Sequence, residues 1–215
     1  MTELTISRRA PRNSSVVLLG WALALGVLSY LVAQGALVPL DMQVAGWMAA
    51  VRSPALDGSM QTLTWFGGST WTALGLLGLS APAWRRGGWA AVRMIWLAFL
   101  LGAVVEVILR LSVAQWRPDM TALPPTMDAV TRFELAGFPS GHAFRSAFIF
   151  GWLAVEARGR PRAGWWRALC LVMTALVGFT RVYLNRHWAT DVAGAWLVVL
   201  TTRAMVYWWE ERRSA

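Results

Sequence analysis

Residues 88–111 read GWAAVRMIWLAFLLGAVVEVILRL, from Gly88 to Leu111. This run is longer than the roughly 20 helical residues needed to cross a bilayer. In lipid every backbone N–H and C=O must be satisfied within the segment, so such a run is expected to be a helix. Five stretches of similar character surround it: Val16–Val38, Gln61–Ala83, Pro139–Ala157, Gly164–Thr180 and His187–Trp209. The stretches beginning at Pro139 and Gly164 are short, and polar motifs crowd their outer ends. The expected fold class is all-α: a polytopic membrane protein with six transmembrane helices in a bundle.

Composition agrees with this reading. Of the 215 residues, 57% are hydrophobic and 14% charged, whereas a soluble domain carries about 25% charged residues. No polar linker, low-complexity stretch or internal repeat divides the chain, so residues 1–215 are expected to form one membrane-embedded domain with a short cytoplasmic tail, 1–14. The net charge of +9 comes with twenty basic residues, all arginine. They cluster between the apolar runs and form no basic stripe interleaved with aromatics, which argues against a nucleic-acid partner. Cys170 is the only cysteine, so an internal disulfide and a cysteine metal cluster are excluded.

Arginine placement sets an expected orientation. With the N-terminus in the cytoplasm, one face receives Arg8, Arg9, Arg12, Arg85, Arg86, Arg158, Arg160, Arg162, Arg167, Arg212 and Arg213. The other face receives Arg52, Arg132 and the arginines of the motifs below. That asymmetry puts both termini in the cytoplasm of a cell (inner) membrane protein. Trp84, Trp89, Trp165, Trp166, Trp208 and Trp209 flank segment ends, as interfacial anchors do. Ser7-Arg8-Arg9 before an apolar run resembles an export signal, but the run is too long and lacks a convincing cleavage site. A retained first helix is expected.

Three polar clusters fall on the non-cytoplasmic side. The first is Arg110 with Arg117-Pro118. Seven residues make almost two helical turns, so both guanidiniums can project the same way, with Pro118 expected to end the helix. Glu106 stands four residues before Arg110, a pairing distance on a helix. Taken alone, interfacial arginines snorkelling to headgroups account for the pattern. The second is Phe138-Pro139-Ser140-Gly141-His142. A helix start there would present free amides and a positive dipole end to an anion such as phosphate; an ordinary cap beside a polar histidine accounts for it equally. The third is Thr180-Arg181, His187 and Asp191. On a helix His187 and Asp191 would share a face, and the carboxylate would fix the tautomer and free the other ring nitrogen to attack. A paired structural histidine is the competing reading. His142 and His187 are the only histidines in the chain. Together the clusters supply an anion cradle, a nucleophile and an acid, which suits phosphoryl transfer.

These residues resemble the type-2 phosphatidic acid phosphatase superfamily. Its signature reads Lys, six residues, Arg-Pro; then Pro-Ser-Gly-His; then Ser-Arg, five residues, His, three residues, Asp. This chain has Arg110…Arg117-Pro118, Pro139-Ser140-Gly141-His142 and Thr180-Arg181…His187…Asp191. Arg110 replaces the family's lysine, keeping the charge with a different shape. Thr180 replaces its serine and keeps the hydroxyl. The resemblance implies a helical bundle with the site at its outer end, facing the periplasm or exterior. It implies that His187 attacks phosphorus to form a phosphohistidine, that Asp191 orients its ring, and that His142 protonates the leaving oxygen and later activates water. Arg110, Arg117, Arg181, Ser140 and the Gly141 amide would hold the phosphoryl oxygens. No metal and no cofactor is implied.

The expected partner is a lipid phosphate or diphosphate, with undecaprenyl diphosphate foremost. Phosphatidylglycerol phosphate, phosphatidic acid and a lipid A phosphate are the other candidates. The loop between Asp119 and Phe138 is expected to border the site. Vanadium haloperoxidases share the motifs but look like larger soluble proteins. A non-catalytic lipid-binding or transport protein is the alternative of another class. Oligomeric state is not legible.

Overall fold

In the computed structural model of the protein, which describes residues 13–113, 115–120, 128–157 and 162–214, the run 88–111 is helical almost throughout. It is the second arm of a longer element. The tail arginines Arg8, Arg9 and Arg12, the loop arginines Arg158 and Arg160, and residues 121–127 of the Asp119–Phe138 loop lie outside the described residues. The helices are α1 (Ser14–Ala33), α2 (Val38–Val51), α3 (Pro54–Thr64), α4 (Ser69–Ser112), α5 (Ala129–Leu135), α6 (Gly141–Glu156), α7 (Ala163–Tyr183) and α8 (Ala189–Ser214), with a 3-10 turn at Trp65–Gly67.

Gly88 breaks α4, with φ 60° and ψ −151°, a conformation essentially open to glycine alone. The two arms, 69–87 and 89–112, fold back on each other. Ser80 and Trp96, equidistant from Gly88, are joined by a 3.1 Å bond from the indole Nε1 to the hydroxyl. Trp84 and Trp89 pack edge to face across the bend, with centroids 6.0 Å apart.

By length and composition, four helices are able to cross a membrane: α1, α4, α7 and α8. The expected second and third stretches are the arms of α4. The expected fourth is α6, whose 16 residues reach about 24 Å, short of the roughly 30 Å hydrocarbon layer. Gln61, the expected start of the second stretch, belongs to α3, which Ser53 caps and Pro54 opens. The chain then turns at Gly67, where a Cβ would lie 2.6 Å from the carbonyl oxygen of His142. Apolar content alone could not reveal that break.

The core joins Leu76, Leu79, Ile95 and Ala98 of α4 to Phe144 and Phe148 of α6 and Ala195 and Val198 of α8. Small residues allow the approach: a Cβ on Gly102 would meet the Phe144 ring at 2.7 Å, and one on Gly178 would meet Val192 at 2.7 Å. Leucines such as Leu19, Leu23, Leu77, Leu100 and Leu171 point outward and are exposed, as lipid-facing positions are in a multi-pass membrane protein.

The two ends of the bundle differ. At one, the start of α1 meets the end of α8: Ser14 bonds to Glu211, and Trp208 Nε1 donates to Ser15 Oγ at 3.1 Å. Arg86 beside the α4 bend pairs with Glu156 at the end of α6. At the other end lie the starts of α6 and α8, the end of α7, and α2 and α3. The described arginines divide between these ends as the sequence predicts.

Candidate active site

Each polar cluster sits where a helix begins or ends, and the folding of those termini brings the clusters together. At the end of α7, the amides of Arg186 and His187 both donate to the Arg181 carbonyl, at 3.0 and 3.2 Å. Asn185 takes the left-handed conformation that closes the turn, φ 57°, which asparagine tolerates. The five-residue spacing between Arg181 and His187 is thus the length of a helix-ending turn.

His187 then precedes α8 rather than sitting on it, which corrects the expected shared helical face. The contact exists for a different reason. Asp191, in the first turn of α8, accepts the Trp188 amide on Oδ2 at 2.9 Å, as a capping residue does, and the same oxygen lies 3.1 Å from His187 Nδ1. A proton on Nδ1 satisfies this contact and leaves Nε2 as a lone pair. Asp191 is fully buried and His187 nearly so. Burial first, then the positive charges of Arg181, Arg117 and Arg110 and the neighbouring His142, hold the His187 pKa well below the ordinary imidazole range. A neutral ring is the nucleophilic form.

The α6 terminus faces this pair. Ser140, fully buried, caps α6 by accepting from the Ala143 amide at 3.5 Å, and its own amide donates to the Asp191 carbonyl at 3.0 Å. The two helix starts are therefore stitched together. Gly137 and Gly141 are close approaches: a Cβ on Gly137 would stand 2.7 Å from Asp191 Oδ2, and one on Gly141 would stand 2.8 Å from Glu106 Oε1.

Arg110 is not an interfacial anchor. It is 7% exposed, bonds Glu106 Oε1 at 2.9 Å and the Pro139 carbonyl at 2.8 Å, and lies over the Phe133 ring at 4.8 Å. Arg117 corrects a second expectation. Helix α4 ends at Ser112, five residues before Arg117, so no run of helical turns aligns the two arginines and Pro118 is not the helix stop. The Arg117 segment is instead held against the site by an antiparallel bridge from Trp116 to Ala136 and by a 2.7 Å bond from Trp188 Nε1 to the Trp116 carbonyl. Arg181 donates from Nη1 to Thr64 Oγ1 at 3.0 Å. Arg110, Arg117 and Arg181 each keep a buried Nε with no acceptor among the described residues. Three unsatisfied cationic donors around one histidine suit an incoming anion. Among the described residues, no three His, Cys, Asp or Glu side chains group as metal ligands.

Two contributors escaped the sequence reading. Arg145, one turn after His142 on α6, donates to the Gly67 carbonyl at 2.8 Å and lies 3.3 Å from His142 Nδ1. Its i, i+3 spacing was a usable signal. Asp41 on α2 is buried behind Asp191 and bonds Thr190; no motif marks it.

Two solved structures share this architecture. A transmembrane PAP2-type phosphatidylglycerolphosphate phosphatase from Bacillus subtilis superposes with a TM-score of 0.74 at 23% identity, covering 91% of this chain and 96% of that one. LpxE from Aquifex aeolicus gives 0.58 at 20% identity, covering 79% and 94%. These likenesses establish the fold. The family model of the PAP2 superfamily matches residues 90–215, more than half of the chain and every one of the three clusters. The chain belongs to the PAP2 superfamily.

Proposed function

We propose that the protein is an integral membrane lipid phosphatase acting through a phosphohistidine on His187. The observation that carries this reading is the His187 Nδ1–Asp191 contact at 3.1 Å, which leaves Nε2 free among arginines. His187 Nε2 attacks phosphorus and the bond to the lipid-side oxygen breaks, that oxygen taking a proton from His142. Water then attacks the phosphohistidine while His142 accepts its proton, releasing orthophosphate and restoring His187. Asp191 orients the imidazole and balances the charge it gains. Arg110, Arg117 and Arg181, with the Ser140 hydroxyl and the Gly141 amide, bind the phosphoryl oxygens, whose charge grows in the transition state.

The six-helix membrane layout belongs to the same proposal, with both arms of α4 and the short α6 among the six. The site end faces away from the cytoplasm of the cell membrane, and the arginine-rich end faces inward. A cysteine at Arg132, in a Cys170→Ser background, then reacts with an impermeant thiol reagent in intact cells, and one at Arg162 only after the membrane is opened. The reverse pattern reverses the orientation.

Undecaprenyl diphosphate is the proposed substrate. An outward site meets it after each round of polymer transfer, and its departing monophosphate is a better leaving group than an alkoxide. The Bacillus subtilis neighbour is a phosphatidylglycerolphosphate phosphatase, which makes that lipid the competing substrate. A phosphate-release panel across both lipids, phosphatidic acid and a lipid A phosphate tests the reading. Hydrolysis of phosphatidylglycerol phosphate about tenfold more efficiently, near 1.4 kcal/mol in transition-state binding, overturns the substrate and keeps the reaction. No release from any lipid overturns the reaction too. Activity is expected to survive EDTA and to be inhibited by vanadate.

A further inference from the structure

Helix α2 is arranged around one residue. Its apolar side chains Val38, Leu40, Met42, Trp47 and Val51 are exposed, and its buried residue is Asp41, at 2% exposure. A carboxylate turned inward while neighbouring aliphatic groups point outward is costly unless its oxygens are fully bonded. They are. Oδ1 accepts the Thr190 amide at 3.1 Å; Oδ2 accepts the Thr190 hydroxyl at 2.6 Å and Gln115 Nε2 at 3.1 Å. Asp41 thus caps the start of α8 from another helix, at the positive end of its dipole.

We propose that Asp41 is a positioning residue for the His187–Asp191 pair, acting through Thr190 and Gln115 to fix three site segments relative to one another. Thr190 immediately precedes Asp191. Gln115 stands two residues before Arg117, and its carbonyl accepts the Gly137 amide at 2.7 Å. Gly137 in turn abuts Asp191 Oδ2. One carboxylate therefore references the Arg117 segment, the turn entering α6 and the start of α8. Asp41 lies outside residues 90–215, the span matched by the superfamily.

The chemistry of the position demands an acceptor-only group, because the Thr190 amide, the Thr190 hydroxyl and the Gln115 amide all point donors at it. Asparagine at position 41 would turn its own amide against one of these donors. Exchanging the roles, with asparagine at position 41 facing a glutamate at position 115, restores a donor–acceptor match and returns the negative charge to the network.

The proposal rests on the phosphatase reading for its kinetic arm only. In full-length protein in detergent, Asp41→Asn is expected to lower kcat on the order of tenfold to 100-fold, the scale of a small misplacement of reacting groups, with KM little changed. D41N/Q115E is expected to recover most of that loss. The second arm needs no turnover. With two histidines in the chain, 15N-histidine labelling with a His142→Asn assignment sample isolates the His187 Nδ1–H proton bonded to Asp191. That resonance is expected to broaden or shift in D41N and to return in D41N/Q115E. An unchanged resonance in folded D41N overturns the proposal, and so does a kcat equal to wild type. A double variant no better than D41N shows a structural cap and overturns it as well. If wild type releases no phosphate, the phosphatase reading fails and the resonance alone decides the role of Asp41.

Discussion

The two ends of the bundle hold arginine in two different settings. Arg85, Arg86, Arg162, Arg167, Arg212 and Arg213 are exposed at the end where α1 starts and α8 finishes. Arg110 is buried at the other end, and Arg117, Arg145 and Arg181 are partly buried around the two histidines. Exposed arginines contribute modestly to stability and set orientation. Buried ones need counter-charges or an anion, and Glu106 serves one of them. On the proposed function, burial rather than arginine content separates membrane anchoring from phosphate binding.

Substitutions should divide along the same line. Arg110→Ala removes a charge-assisted contact and strands the buried Glu106 carboxylate. A loss of about 2–4 kcal/mol of transition-state stabilisation is expected, read as a fall in kcat/KM on the best lipid. Arg110→Lys should retain much of the activity, since it restores the residue type found in the family. Near-normal rates for Arg110→Ala would erase the distinction between the ends.

Gly141→Ala tests whether the cradle is as tight as its distances indicate. The added methyl would meet Glu106 Oε1 at 2.8 Å, Arg145 Nη1 at 3.2 Å and Arg110 Nη2 at 3.3 Å. Displacing charged groups at this range is expected to lower kcat about 100-fold while the protein stays folded by thermal melting. Unchanged kcat would show that the cluster yields without consequence.

Arg145→Ala should act more mildly, on the order of tenfold in kcat, below the usual range for general acid–base assistance, because Arg145 touches His142 and leaves the nucleophile pair alone. Its signature is leaving-group dependence. The defect should shrink on an aryl phosphate, whose leaving group needs little protonation. An equal defect on lipid and aryl substrates would place Arg145 on the phosphoryl group instead.

At the opposite end, Arg212→Ala and Arg213→Ala are expected to leave kcat/KM within about twofold, as surface substitutions usually do. A large loss in either would mean that the two ends are coupled.

These contrasts also show what the sequence could convey. The clusters were legible because their spacings survive in the contacts: His187 does meet Asp191, and Arg110 does pair with Glu106. The scaffolding behind the spacings was not. His187 and Arg117 both lie off the helices expected to carry them, since capping turns and a β-bridge bring residues together at the same separations as helical turns. The hairpin at Gly88 was hidden within apolar runs, because a single backbone angle makes it. Helix α2 went unread because Asp41, its buried residue, is polar, while its exposed residues include many apolar ones. In lipid the outer face of a helix can be as apolar as the buried one, so apolar content does not mark which face is inside.

The central claim is that His187 becomes covalently phosphorylated. Rapid acid-free quench of the purified enzyme with 32P-labelled lipid phosphate, followed by denaturing electrophoresis, measures this directly. The account predicts a labelled protein band that is stable to alkali, labile to acid and chased by excess unlabelled substrate. The band should be absent from His187→Ala, which should also lose essentially all turnover while remaining folded. Phosphate release at wild-type rates by His187→Ala, or an equal band in that variant, contradicts the account.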